Sequence, residues 1–172
     1  MKNKSTLTFC TFLFLCCISL FFSNKIIAQE NGIYELSNNN FSKSVAKSQA
    51  DNGRSEFNKL VKNLHPTVYV GNGIEKTTYG EGLPIKLTLK DAKSVSILNS
   101  GNPKYNKVQL ITIKLNKSSD LNTKLDLSSL SGLSELKYIF IRCNFKCTAD
   151  QLKTFVNANS VIRIFYRSET PS

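Results

Sequence analysis

The chain has 172 residues, 41% of them hydrophobic and 20% charged, with a formal net charge of +11. Its length is that of one domain rather than several. The basic excess biases it toward anionic partners such as glycans, envelope phosphates, membranes or acidic proteins, or serves solubility alone. Nucleic acid is excluded from the expected partners, because no Gly-rich aromatic motif or recognition-helix pattern accompanies the charge.

Residues 1–28 read as a secretory signal peptide. Lys2 and Lys4 precede an apolar run from Phe9 to Phe22. Ser23-Asn24-Lys25 ends that run, and Ala28 offers a small residue for cleavage, which is the n-, h- and c-region order. The run falls short of the roughly 20 residues that span a bilayer core. Ile26 at the −3 position is bulkier than the usual alanine, so an uncleaved N-terminal anchor is the alternative, and the only membrane contact expected. Cys16 and Cys17 follow Phe14-Leu15 without the small residue of a lipobox, which argues against lipoprotein processing. The expected location is exported: periplasmic, cell-surface or secreted. Cleavage removes three of the 23 basic residues and none of the 12 acidic ones, leaving a net +8 in place of +11.

Cleavage also removes three of the five cysteines, leaving Cys143 and Cys147. In an exported chain the pair reads either as a disulfide or as two free thiols. Residues four apart on a straight strand lie about 13 Å from each other, beyond the ~7 Å limit between bridged Cα atoms. A bridge therefore requires a turn at Asn144-Phe145-Lys146.

Residues 29–53 are rich in Ser, Asn and Lys. Ile33, Tyr34, Leu36, Phe41 and Val45 repeat at no helical or strand period, so a flexible leader is expected. A single domain follows over 54–172. Phe57, Leu60, Val61 and Leu64 fall on one helical face, with Glu56 in the first turn and Pro66 as a stop, predicting a helix over 54–63. Thr67 to Val70, Gly71-Asn72-Gly73 and Ile74 to Tyr79 predict a β-hairpin. A phosphate-binding loop would need further glycines and a following helix. Pro84 to Lys90 alternates Ile85, Leu87 and Leu89 inward with Lys86, Thr88 and Lys90 outward.

The second half repeats an apolar-x-apolar strand core four times: Val95-Ser-Ile97, Ile113-Lys-Leu115, Ile139-Phe-Ile141 and Ile162-Arg-Ile164. The spacing leaves room for a strand and a return segment each time. Ser100 to Lys107, with Gly101 and Pro103, is a loop. Asp120 to Ser134 carries leucines at 121, 125, 127, 130 and 133. Thr148 to Asn157 predicts a helix, with Thr148 as N-cap, Gln151 at the capping-box position, and Leu152, Phe155 and Val156 on one face.

Leu136-Lys-Tyr-Ile139-Phe-Ile141-Arg-Cys-Asn144 resembles the core pattern of a leucine-rich repeat, L-x-x-L-x-L-x-x-N. Leu110 to Ser118 is similar, with Ser118 in the Asn position, and Ala92 to Ser100 is a weaker copy; the fourth strand carries Arg167 where the Asn would stand. The resemblance covers about residues 92–167. It implies a short leucine-rich-repeat-like solenoid of about four parallel strands with irregular or helical crossovers, an α/β fold preceded by the short helix and hairpin. In that family the Asn side chains bond backbone carbonyls along the turn, a role only Asn144 fits here. Such proteins are mostly ligand- or protein-binding scaffolds, so the resemblance implies recognition.

Catalytic chemistry is not expected. His65, the sole histidine, precedes Pro66 without a neighbouring nucleophile or orienting acid, and reads as a helix-end residue. His65, Cys143 and Cys147 make a poor zinc set, and no serine lies in a Gly-x-Ser-x-Gly elbow. Asp120 and Asp126 read as turn and cap residues. No catalytic residue, metal or cofactor is therefore assigned, and a motif-less hydrolase is the remote alternative.

The candidate site is a sheet face. If the strand cores point inward, their alternate residues share the opposite side, in rows of Ser96, Lys114, Phe140 and Arg163, of Leu98, Asn116, Arg142 and Phe165, and of Ser94, Thr112, Tyr138 and Val161. Tyr138, Phe140 and Phe165 then stand among Arg142, Arg163, Arg167 and Lys114, a mixture typical of binding hot spots. The competing reading places the 54–63 helix over these aromatics as ordinary core. The expected function is an exported, non-enzymatic recognition domain for a protein or an anionic envelope or glycan partner. The alternative is a structural or accessory cell-envelope protein held by its basic charge.

Overall fold

The computed structural model describes residues 32–36, 49–128, 132–159 and 161–169. The signal segment, its cleavage after Ala28, most of the leader and Leu130 lie outside the described residues. Strand β1 is Ile33–Glu35 and helix α1 is Gln49–Lys62, beginning ahead of the expected 54–63 segment. β2 (Thr67–Gly71) and β3 (Ile74–Tyr79) form the expected antiparallel hairpin. Asn72 and Gly73 at its tip both take positive φ, 54° and 73°, as a tight hairpin turn requires. β4 (Lys86–Leu89), β5 (Leu110–Leu115), β6 (Leu125–Asp126) and β7 (Tyr138–Cys143) follow, then helix α2 (Ala149–Phe155), β8 (Val156–Asn157) and β9 (Arg163–Ser168).

Seven of these strands form one sheet in the order β1-β9-β7-β5-β4-β2-β3, parallel except at the β2–β3 hairpin. The fold is mixed α/β with a mostly parallel sheet. From β2 through β4, β5 and β7 to β9, each crossover advances the chain by one strand. β6 and β8, both within the return segments, pair with each other as a separate parallel ladder. β1 pairs with β9, the last strand, so residues expected in a flexible leader instead complete one edge of the sheet.

A second expectation fails at residues 95–97, which are not a strand. Ala92–Ser100 is a 3₁₀ helix, capped by the Asp91 side chain at Ser94 N and ended by Gly101 at φ 60°. Its buried residues Ala92, Val95 and Leu98 recur every three positions, the period at which side chains stack in a 3₁₀ helix. β4 takes the strand position instead. It alternates as expected, with Leu87 and Leu89 fully buried.

One sheet face makes the main core. Val68, Leu87, Ile111, Ile139 and Ile164 form a continuous row across adjacent strands, and Val70, Leu89, Ile113, Ile141 and Tyr166 form the next. Both rows pack against Val95, Leu98, Leu125, Leu127, Leu133, Leu152 and Phe155 of the return segments. Each fully buried aliphatic side chain contributes about 1.5–3 kcal/mol of transfer free energy. α2 starts at the expected capping box: Thr148 Oγ1 accepts from Gln151 N, and Gln151 Oε1 accepts from Thr148 N.

The turns after the strands are tied by side-chain amides. Asn116 Nδ2 donates to the Lys90 carbonyl at 3.3 Å, and Asn144 Nδ2 donates to Asn116 Oδ1 at 3.2 Å. Asn116, not Asn144, therefore makes the carbonyl bond. It follows β5 directly, where its amide reaches back to the previous turn.

Candidate functional site

Among the described residues, α1 covers one half of the second sheet face, and the side chains of the other half are partly exposed. α1 runs across the strand beginnings. Its Gly53 lies against the Arg163 guanidinium at the start of β9. Glu56 receives Lys137 Nζ and the Tyr138 hydroxyl beside β7, each at 2.7 Å. At the helix's far end, the Asn63 carbonyl accepts from Lys86 Nζ of β4. Phe57, fully buried, stacks on Phe165 at 4.2 Å and meets Tyr138 and Phe140 edge-on. Leu60 and Val61 join Leu110 and Ile85 in the same cluster. The helical spacing of Phe57, Leu60 and Val61 drives this packing. Leu64 lies beyond the end of the helix and is exposed.

Tyr138, Phe140 and Phe165 are thus core, not an exposed recognition surface. The competing reading of the aromatic row is the one adopted. The physical reason is area: three aromatic rings on one face demand an apolar cover, and Phe57 supplies it. Arg163, beside Gly53, belongs to this helix contact.

The partly exposed half lies toward the strand ends. The register places Tyr69, Thr88 and Thr112 in a row that continues to Phe140 and Phe165. The next row is cationic. Lys114 of β5 stands opposite Arg142 of β7, and Arg142 opposite Arg167 of β9. Lys90 follows β4 directly, and its N–H extends the β4–β2 ladder by bonding the Val70 carbonyl. The Leu89–Ile113 pairing puts Lys90 level with Lys114. Four cationic side chains therefore cross four adjacent parallel strands at the inter-strand spacing of about 4.8 Å.

A carboxylate engages Arg142 of this row. Arg142 Nε and Nη2 donate to Glu169 Oε1 at 3.1 and 2.9 Å, and Nη2 also donates to Oε2 at 3.0 Å. Lys90 Nζ lies 5.7 Å from the Tyr69 ring centroid, a cation–π contact. Neither Lys90 nor Lys114 forms an ion pair among the described residues. Like charges directly opposite on adjacent strands are destabilising, so the row lowers stability where the Ile and Val rows behind it raise it.

Sequence reasoning placed Lys114, Arg142 and Arg167 on this face but paired the strands two residues out of register. It set Phe140 opposite Arg163, whereas Phe140 faces Phe165. An even-numbered slip keeps each residue on its face, so the membership survived and the row order did not. Lys90 and Tyr69 were missed as site residues. The alternation of Pro84 to Lys90 already marked Lys90 as outward.

Cys143 and Cys147 are both buried free thiols. The chain does turn between them, and Cys147 Sγ lies 3.3 Å from Ser168 Oγ, whose residue is the strand partner of Cys143. A hydrogen bond between the two thiols, with burial, pushes Cys143 up; the same bond, aided by Ser168, lowers Cys147 to about 7. Asp120 and Asp126 are turn residues: Asp120 accepts from Asn116 N and Lys117 N, and Asp126 from the Ser128 N–H and hydroxyl. The His65 carbonyl accepts from Thr67 Oγ1 just past α1.

Among the described residues no group of three or more His, Cys, Asp or Glu side chains could hold a metal ion, and no helix is long and apolar enough to cross a membrane. No protein-family model matches the chain, and neither curated proteins nor solved structures give a match.

Proposed function

We propose that this is an exported, non-enzymatic recognition domain that binds an anionic partner on the partly exposed half of the second sheet face. The observation carrying this reading is the in-register row Lys90, Lys114, Arg142 and Arg167, in which neither Lys90 nor Lys114 forms an ion pair among the described residues. A parallel sheet is normally covered on both faces, and a row of like charges costs stability. A ligand of opposite charge offsets that cost. The chain between Leu36 and Gln49 supplies Lys43 and Lys47 and no acid, so charge complementarity points to a separate partner rather than to this segment.

The finer architecture belongs to the same reading. One-strand crossovers, return segments holding their own β6–β8 ladder, and the Asn116–Asn144 amide contact support a short repeat-like solenoid with the basic row on its open face. Repeat architectures commonly recognise ligands on such a face. Export follows from the signal pattern of residues 1–28.

Titration of the folded chain with a short anionic polymer at rising salt tests the proposal. Affinity should fall as salt screens exposed charges. It should drop sharply in Lys90→Gln/Lys114→Gln but not in Lys93→Gln/Lys124→Gln, whose lysines are exposed elsewhere. Equal losses in the two variants would favour a structural envelope protein held by diffuse charge. Full affinity in the first variant would overturn the proposed site.

A further inference from the structure

We infer that the partner is a linear acidic polysaccharide lying across the strands, with its acidic groups directed at Lys90, Lys114 and Arg142. This deepens the anionic-partner reading and rests on it. Three observations select the ligand class.

The first is period. The charges recur once per strand, about 4.8 Å apart, so one extended polyanion crossing the strands meets several of them. The second is the neighbouring row. Thr88 and Thr112 lie half-exposed beside the cations. Each hydroxyl can donate and accept, which suits sugar hydroxyls and adds nothing special for a bare phosphate or carboxylate chain. The third is aromatic. Tyr69 continues that row on β2, half-buried, with Lys90 Nζ 5.7 Å from its ring centroid, so a sugar can pack against the phenol while its acid group meets the lysine. A single-stranded nucleic acid would need a series of exposed rings for base stacking, but Phe140 and Phe165 are covered by Phe57.

Arg142 plays a distinct part. Its guanidinium is already held by Glu169 through both Nε and Nη2. That pairing fixes its plane, and the partly exposed guanidinium can share a further ligand carboxylate or sulfate. Lys90 and Lys114, lacking carboxylate partners among the described residues, provide the main charge contacts.

The test uses the folded chain and three probes: oligogalacturonates of increasing length, poly-L-glutamate and inorganic polyphosphate, titrated calorimetrically. Oligogalacturonate should bind more tightly with each added sugar until the row is spanned, then level off. Lys114→Gln should weaken it about tenfold, the change corresponding to roughly 1.4 kcal/mol. Thr88→Val/Thr112→Val, which keeps the shape of both side chains, should weaken oligogalacturonate while leaving polyphosphate binding unchanged. If polyglutamate or polyphosphate binds through Lys114 and oligogalacturonate does not, the polysaccharide assignment falls while anionic recognition stands. If none of the three binds, or if Lys114→Gln changes nothing while the variant's thermal midpoint matches the parent, both readings fall.

Discussion

Lys114 and Arg142 stand directly opposite each other on β5 and β7, two cations on adjacent strands, while Ile113 and Ile141 one position earlier stand opposite each other in the core. The same pair of strands thus carries a stabilising contact on one face and a repulsive one on the other. Lys114→Thr should therefore raise stability by about 0.2–1 kcal/mol while weakening anion binding. Urea denaturation checks this; a loss of stability would make Lys114 a structural residue.

The two faces predict different costs for their central residues. Ile141→Ala leaves a cavity in the main core, where the side chain is fully buried, and should cost about 2–5 kcal/mol. Phe57→Ala uncaps Tyr138, Phe140 and Phe165 and should cost about 3–5 kcal/mol. Both are read from denaturation midpoints. The Phe57 variant should also bind a hydrophobic dye in its native baseline, and the Ile141 variant should not.

How far these elements can be read from sequence depends on what each one packs against. β5, β7 and β9 are legible because Ile113, Ile139, Ile141 and Ile164 alternate with outward residues, the signature of a face that must be buried. The α2 capping box is legible because Thr148 and Gln151 act locally. The 3₁₀ segment Ala92–Ser100 is not, because Val95-Ser-Ile97 mimics a strand while Ala92, Val95 and Leu98 hold the true period of three. β1 is invisible for another reason: three residues carry no period, and only pairing with β9, more than a hundred positions later, makes them a strand. The cationic row depends on register, which apolar patterning fixes only by parity. Its residues were therefore findable while their alignment was not.

Acid should weaken the anchoring of α1. Hydrogen bonds from Lys137 and Tyr138 hold the Glu56 carboxyl below its ordinary value of 4.5. A carboxylate depressed in the folded state contributes stability that is fully present above its unfolded value and lost as pH falls through the folded one. The loss therefore begins below about pH 4.5. Glu75 is depressed in the same way, by Lys104 first and then by Tyr105. In a pH series of thermal midpoints, Glu56→Gln should flatten part of the acid limb and leave the neutral region parallel to the parent; an unchanged acid limb would show that Glu56 contributes nothing there.

The Cys143–Cys147 pair should close under glutathione disulfide. Attack by one thiolate on glutathione disulfide gives a mixed disulfide and releases one reduced glutathione; the second cysteine resolves it and releases the other. The product should weigh two hydrogens less than the dithiol, and the bridge should add about 2 kcal/mol by restricting so short a loop. A mixed disulfide that persists without closure would show that the turn holds the sulfurs in an unsuitable geometry.

The recognition surface itself is tested most directly by amine footprinting. The folded chain is acetylated with and without saturating polyanion, using oligogalacturonate, poly-L-glutamate and polyphosphate in turn, and each lysine is quantified by mass spectrometry. Lys90 and Lys114 should be protected together by at least one probe, while Lys93, Lys124 and Lys153 react as before. Protection spread evenly over the lysines, protection centred away from Lys90 and Lys114, or no protection by any probe would contradict the assignment of the sheet face.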